Sequence, residues 1–512
     1  MGSTFMGLET SKRGLYTQQS ALYTTGHNIS NANTLGYSRQ RVNMEATLGY
    51  PGTGLNAPKI PGHLGTGVQA QSVQRIRDQF IDRQYRQETT KLGYWESRTN
   101  AISQMEDIMA EPSEFGLNTS LDQFWKSLQD LSTNPENAAA RKVVVQRGIG
   151  VAESFNYINK QLSDIQGNIK NEILTSTDDI NSILKQIASM NEQIQAIEPN
   201  GYMPNDLYDA RDNLLDELSQ YFPIEIEYTK SGGNSLAIAE GSVKVSIKTK
   251  TGSIEIINGK DAGKLTPNGM SKNDNFEPFN GFTLAGSGAV TGGPISYDDM
   301  ELNKGKMLSL INSYGHGTDA TNAEGYYPEM LAKLDKMANE FAKTFNAIHE
   351  KGHPLAGSAD IADFFDVTNQ GAAGIKVNAD IIKNPGSIAA SNSLGEEGNG
   401  AIAILLANMK SKILDGQDGN GDLDGATVQS FYQSMIGQLG VDGEQAARLA
   451  YNSATIKLTV ENNRASVSSV SLDEEMTNMI IFQQAYNASA RMITVVDETL
   501  DKIINGMGRV GL

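Results

Sequence analysis

Residues 5–40 read FMGLETSKRGLYTQQSALYTTGHNISNANTLGYSRQ, and this stretch decides the architecture. Leu8, Leu15, Leu22 and Ile29 recur at strict sevenfold spacing, and Phe5, Tyr16, Ala21 and Tyr23 widen the stripe. Apolar residues at such intervals share one face of a helix. The pattern then stops. Asn28, Asn31 and Asn33 crowd its end, and Gly36 and Tyr37 follow. Asparagine competes with helical backbone hydrogen bonds and is favoured where a chain turns. The stretch therefore reads as a helix followed by a corner. The Asn side chains satisfy freed backbone groups, Gly36 supplies a permissive backbone, and Tyr37 is an anchor with a polar tip.

The other end mirrors it. Over 472–506, Leu472, Met476, Met479, Phe482, Tyr486, Ile493, Val496, Leu500 and Ile503 stripe one long helix without Pro, and without Gly before Gly506. Between the ends, the Gly- and Pro-rich residues 37–76 read as irregular loop or short hairpins. Helices are expected over 76–110, 118–133, 136–198 and 205–220. Past Pro223 the period changes to two: Ile224, Ile226 and Tyr228 alternate, as do Val243, Val245 and Ile247, and then Ile254 and Ile256. That is a β region. Turns and short strands fit 258–325, and helices resume at 327–350, 401–415, 427–438 and 443–452. The expected fold is mainly α with a β-rich inserted domain. Long terminal helices pair as a coiled coil (1–36 with 471–512), a mainly helical domain spans 37–222 with 327–470, and an outer β-rich domain spans 223–326. The competing reading of the terminal stripes is that they are core helices of one large domain.

The 512-residue chain carries a net charge of −18, which argues against a general nucleic-acid surface. It has no cysteine, which excludes disulfides and thiolate chemistry. No apolar run is long enough to span a bilayer, and the first residues lack the apolar core of a secretory signal. The expectation is a protein of the cytosol, or one exported without a cleaved signal.

Two motifs imitate metal sites. His349, Glu350 and His353 spell the zincin pattern HEKGH, in which two His one helical turn apart hold zinc and Glu acts as base. Gly352 and Pro354 flank the second His and disfavour the continuous helix this chemistry needs. Residues 418–429, DGNGDLDGATVQ, place Asp418, Asn420 and Asp422 like the first calcium ligands of an EF-hand. Leu423 then stands where Gly is required and Gln429 where Glu is required. An Asp/Gly turn before a helix capped by Thr427 is the simpler reading. There is no P-loop and no G-x-S-x-G. The Asp/Glu pairs on helices read as solvated faces. No catalytic, cofactor-binding or metal-ligating residue is assigned, and the chain is not expected to be an enzyme.

Residues 7–42, GLETSKRGLYTQQSALYTTGHNISNANTLGYSRQRV, resemble the N-terminal signature of the bacterial flagellar axial proteins, the family of rod, hook and hook-associated proteins. Residues 471–508, SLDEEMTNMIIFQQAYNASARMITVVDETLDKIINGMG, resemble its C-terminal signature. Within that family, 205–228, 374–391 and 430–446 are similar to segments of hook-associated members. The chain departs from the family pattern at Leu35, where Pro is frequent, and at Asn487 and Ser489.

The resemblance implies a structural component of the bacterial flagellum, forming the junction layer between hook and filament and needed for filament assembly. Its terminal helices would coil in an inner tube and its middle domains would face outward. The subunit-interface residues would be Leu8, Leu15, Leu22, Ile29, Asn31, Asn33, Gly36 and Tyr37 near one end, and Met476, Met479, Phe482, Tyr486, Arg491, Ile493 and Leu500 near the other. Implied partners are copies of the chain in a ring-like homo-oligomer, hook protein, a second junction protein, and the filament cap or filament subunits. An export chaperone would bind the C-terminal helix. No nucleic acid, membrane insertion or cofactor is implied. The implied location is extracellular, in the flagellum, after type III export without a cleaved signal peptide. The alternatives are a hook or distal-rod axial protein, or a secreted zinc peptidase on an axial scaffold.

Overall fold

The computed structural model describes residues 5–49, 65–109, 116–250, 252–270, 276–300, 304–355, 362–366, 368, 371–416 and 422–506. The chain opens with α1 (Met6–Ser30), and a corner leads to the antiparallel hairpin β1 (Gln40–Ala46) and β2 (Val68–Arg75). Residues 50–64, the densest part of the Gly/Pro stretch, lie outside the described residues.

Four helices follow: α2 (Gln79–Met109), α3 (Leu117–Thr133), α4 (Ala138–Ile197) and α5 (Asn205–Tyr221). Each matches the periodic segment that called for it. The 60-residue α4 is the spine. Its N-terminus is capped by Asn137, whose side chain accepts the Ala139 and Ala140 N–H groups. Phe124 and Trp125 of α3 and Phe155 of α4 cluster with Phe341, Phe345, Phe364 and Phe365 in the centre of the helical core, with ring centroids 4.9–6.5 Å apart.

The β insert begins where the period predicted. β3 (Ile224–Thr229), β4 (Ser242–Lys248), β5 (Ser253–Asn258) and β6 (Asp261–Ala262) form a four-stranded sheet in that order. β7 (Lys264–Asn268), β8 (Gly281–Ala285) and β9 (Gly293–Ser296) form a three-stranded one. Two buried asparagines of α4 latch both sheets to the spine. Asn181 exchanges 2.8 Å bonds with the Leu265 N–H and carbonyl, and Asn191 bonds the N–H and carbonyl of Val243 at 3.1 Å each. A side-chain amide satisfies a strand's backbone donor and acceptor together, so each latch leaves the backbone groups it meets paired.

The chain returns to helix in α6 (Lys306–Tyr314) and α7 (Tyr326–His349). Short elements follow: β10 (Phe365–Asp366) with β11 (Lys376–Val377), α8 (Ala379–Lys383), α9 (Ala401–Asn408), and β12 (Leu414–Asp415) with β13 (Asp422–Ala426). The fold is mainly α with several small sheets, as expected.

Three sequence expectations need correction. Residues 258–325 are not turns and short strands throughout: they include the nine-residue helix α6, which buries Met307, Leu308, Leu310 and Ile311. Residues 401–415 do not form one helix: α9 ends at Asn408 and the chain enters β12. Residues 427–438 and 443–452 are not two helices but parts of one, the 41-residue α10 (Val428–Ser468). Thr427 caps it in a capping box with Ser430, as read. Gly443, inside this helix, admits a neighbour. A Cβ on Gly443 would stand 2.9 Å from the Glu106 carboxylate and 3.2 Å from Ile102, both on α2. After a three-residue connection comes α11 (Leu472–Gly506), which runs back along α1.

Candidate functional site: the joint between terminal coil and body

The antiparallel register of α1 and α11 is fixed by three close approaches. A Cβ on Gly7 would lie 3.3 Å from Val496, and one on Gly14 would lie 3.3 Å from the Ser489 hydroxyl. Asn28 Nδ2 donates to Glu475 Oε2 at 3.1 Å. The line of closest contact on α1 therefore runs through Gly7, Gly14 and Asn28, beside the leucine heptad. Small residues let the two backbones approach. Ser489, a departure from the family pattern, is part of that fit.

Leu8, Leu15, Leu22 and Ile29 flank this line and are partly buried, whereas Tyr23, at 80% exposure, points away. On α11, Met479, Phe482, Tyr486 and Ile493 are partly buried and Leu500 is buried. Met476 and Arg491 are exposed. Ile480, Ile481, Met492, Val495 and Ile504 are exposed as well, so α11 carries a second apolar side that α1 does not cover.

The corner is built as the asparagines implied, though they divide the work unequally. Asn28 is buried and its side chain makes four bonds. Its Oδ1 accepts the Tyr37 hydroxyl at 2.8 Å and the Gln40 N–H at 3.0 Å, and its Nδ2 donates to the Gln40 carbonyl at 2.8 Å and to Glu475. Tyr37 also meets His27 Nδ1 at 2.9 Å. Asn31 closes the helix end through the His27 carbonyl at 3.1 Å, and Asn33 is exposed. Residues 34–37 form a turn in which the Tyr37 N–H donates to the Thr34 carbonyl at 3.2 Å. Gly36 sits at φ +76°, and a Cβ there would lie 2.0 Å from Asn213, so only glycine fits. Leu35 is 95% exposed on the outer side of this turn. Burial, then Asp206, Asp209 and Glu475, push the Tyr37 hydroxyl pKa up, so it stays a neutral donor.

Below the corner lies a charge network that sequence reasoning missed. Asp209, Asp212 and Asp216 follow a three-four spacing on α5, which places them on one face. They were read as solvated; Asp209 and Asp212 are buried. Arg75 Nη1 reaches Asp209 at 2.6 Å and Asp212 at 3.0 Å, and Arg77 Nη1 reaches Asp212 at 2.9 Å. Arg86 bonds Asp216 at 2.7 Å and Asp212 at 3.3 Å. Arg464 of α10 joins Asp82 at 2.8 Å and Asp216 at 2.7 Å. Arg211 pairs with Glu240 at 2.8 Å. Ser38 ties the corner in, its hydroxyl donating to Asp209 at 2.7 Å. Burial pushes the Asp212 carboxyl up, but Arg77, Arg75, Arg86 and Arg211 outweigh it and hold it well below the usual carboxylate range. Arg39 completes the joint: its N–H donates to the Ser468 carbonyl, and its guanidinium reaches Glu475 at 2.7 Å and Glu474 at 2.6 Å. The hairpin, α2, α5 and α10 thus meet at one set of charges, and Ser38 and Arg39 connect it to the pair of coil helices. The available signal was the spacing of the α5 carboxylates together with Arg75, Arg77 and Arg86, which is visible only as complementary charge.

The HEKGH motif does other work. His349 is the last residue of α7 and fully buried, and its Nε2 accepts the Ala389 N–H at 2.9 Å. His353 lies beyond the helix, bridged through its backbone to Ser391. Among the described residues no group of three or more His, Asp or Glu is placed to hold a metal ion. Residues 418–421 of the EF-hand-like motif lie outside the described residues. No helix among the described residues is long and apolar enough to cross a membrane.

Residues 102–365 match the family model described as the helical domain of flagellar hook-associated protein FlgK, and 462–506 match that of the flagellar basal body rod FlgEFG protein C-terminal region. The chain is 46% identical to flagellar hook-associated protein 1 of Bacillus subtilis (strain 168) over 521 residues, covering 99% of each chain. It is 26% identical to the protein of that name from Escherichia coli (strain K12), covering 96% of this chain and 98% of that one. The fold resembles the flagellar hook junction protein FlgK from Burkholderia pseudomallei, with a TM-score of 0.60 at 12% identity, over 75% of this chain and all of that one.

Proposed function

Because the chain belongs to the flagellar hook-associated protein 1 family, we propose that it works as that family's structural element at the junction between hook and filament. The observation that carries this reading is end-to-end similarity: 46% identity over 99% of each chain. It is a structural protein of the flagellum, from a family that is not one of enzymes.

The finer reading follows from the coil. α1 covers one side of α11, and the exposed apolar side that remains is fitted for neighbouring copies in a ring-like layer, with hook protein below and a second junction protein above. Residues 1–36 and 471–512 form the inner tube. Residues 37–222 with 327–470 form the helical body, and 223–326 the outer β-rich part. The same uncovered side of α11 suits an export chaperone before assembly. The chain reaches its place by type III export. A strain lacking this chain should build hooks but shed filament subunits into the medium, and the intact gene should restore filaments. Normal filaments on the deletion strain would refute the reading. A copy number per flagellum matching the far more abundant hook protein would instead assign it to the hook.

A further inference from the structure

Gly7 against Val496, Gly14 against Ser489 and Asn28 against Glu475 are steps of seven on both helices. The same register sets Ala21 level with Phe482. Three of these four α1 residues are Gly or Ala. Sliding one helix by a heptad therefore exchanges like for like: Ala21 would meet Ser489 in one direction, and Gly7 would meet it in the other. Packing along this line discriminates poorly between registers. The connections do not settle it either. A heptad slip moves a helix by about 10 Å, and the eight corner residues 31–38 can span roughly 26 Å when extended.

The fourth layer is different in kind. Glu475 is 2% exposed and Asn28 is 1% exposed. One Glu475 oxygen accepts Asn28 Nδ2 and the other accepts Arg39 Nε at 2.7 Å. A slip in one direction sets this carboxylate against Ala21, and in the other carries it past the end of α1. Either way the buried carboxylate loses the Asn28 amide, its donor on α1. We propose that Glu475, with Asn28 and Arg39, is the register key of the terminal coil, selecting one alignment among several that the small-residue heptad would accept. A buried polar layer is a known means of fixing coiled-coil register at some cost in stability.

The chain has no cysteine, so engineered pairs report register directly. A Cβ on Gly14 would lie 4.0 Å from the Ser489 Cβ, within disulfide range. Three full-length variants are oxidised at high dilution: Gly14→Cys/Ser489→Cys for the native register, and Ala21→Cys/Ser489→Cys and Gly7→Cys/Ser489→Cys for the two slips. With Glu475 present, the 14–489 product should dominate. Glu475→Leu should raise at least one slipped product tenfold or more relative to 14–489, and so should Asn28→Ala. Glu475→Gln keeps an acceptor for Asn28 and should hold the native pattern. Retention of 14–489 as the sole product in Glu475→Leu would overturn the proposal, assigning register to the connections. Equal yields from all three pairs with Glu475 intact would overturn it too. So would loss of all products in both Glu475→Leu and Asn28→Ala, since the layer would then hold the helices together without choosing between registers.

Discussion

Asp212→Ala should loosen the joint while sparing the helical core. Five arginines (75, 77, 86, 211 and 464) face five carboxylates (82, 209, 212, 216 and 240) in this network, so the charges balance. Asp212 is the hub, with bonds to Arg75, Arg77 and Arg86. The side chains of these arginines are 4%, 8% and 10% exposed, so water cannot replace what the carboxylate supplies. Removing one member of a buried pair costs about 3–5 kcal/mol, because the remaining charge is left uncompensated. A chain of this size need not unfold in one step, so the loss is best read locally, by hydrogen exchange at β2 and α5. At about 1.4 kcal/mol per tenfold, protection there should fall by roughly 10² to 10³·⁵. Protection in α3 and α7 should hold. Asp380→Asn, which touches only an exposed pair with Lys383, should change protection by less than about 0.5 kcal/mol. Arg86→Met added to Asp212→Ala restores neutrality and should recover part of the loss. A fall of less than about fivefold in Asp212→Ala, about 1 kcal/mol, would refute the view that the network is held by charge balance.

Three further outcomes are expected. His349 is buried and neutral, and burial, then Arg141, depress its pKa from 6.5 to about 4. The unfolded chain therefore takes up this proton first, and stability should fall by about 3 kcal/mol as pH drops from 6.5 to 4, then level off; His349→Gln, which can still accept the Ala389 N–H, should flatten that part of a denaturation-versus-pH curve. Leu35→Pro should stabilise the corner by about 0.4–1 kcal/mol, since Gly36 at φ +76° marks a turn that favours Pro before it and Leu35 is exposed; exchange at the Tyr37 amide reads this, and faster exchange would contradict it. Leu22→Asp or Ile493→Asp places a charge at a partly buried coil position, costing several kcal/mol; the purified body should keep its helical circular dichroism while the chain fails to restore filaments, and normal filaments with either variant would refute the coiled-end reading.

The parts of this fold that were legible in the sequence are those governed by apolar period. The spine α4 announces itself through Ile158, Leu162, Ile169, Ile173, Ile180, Leu184 and Ile187, all buried, and the strands through the alternation after Pro223. The single helix α10 reads as two in the sequence because its apolar pattern is weak there, and Gly443 within it serves contact with Glu106 and Ile102 of α2. The leucine heptad named the right helix and the right partner, but the closest contact runs through Gly7, Gly14 and Asn28, which no hydrophobicity pattern selects. The joint was the least legible, because a buried Asp and a solvated Asp are written alike. What separates them is a complementary set of arginines far away in sequence, such as Arg75 and Arg464 around α5. An apolar joint of the same size would bury comparable surface, but apolar side chains tolerate sliding. Charges that are neutral only in one arrangement do not, since every misaligned pair strands an ion away from water. At the point where a long coil meets the body it must align with, that intolerance is what fixes the geometry.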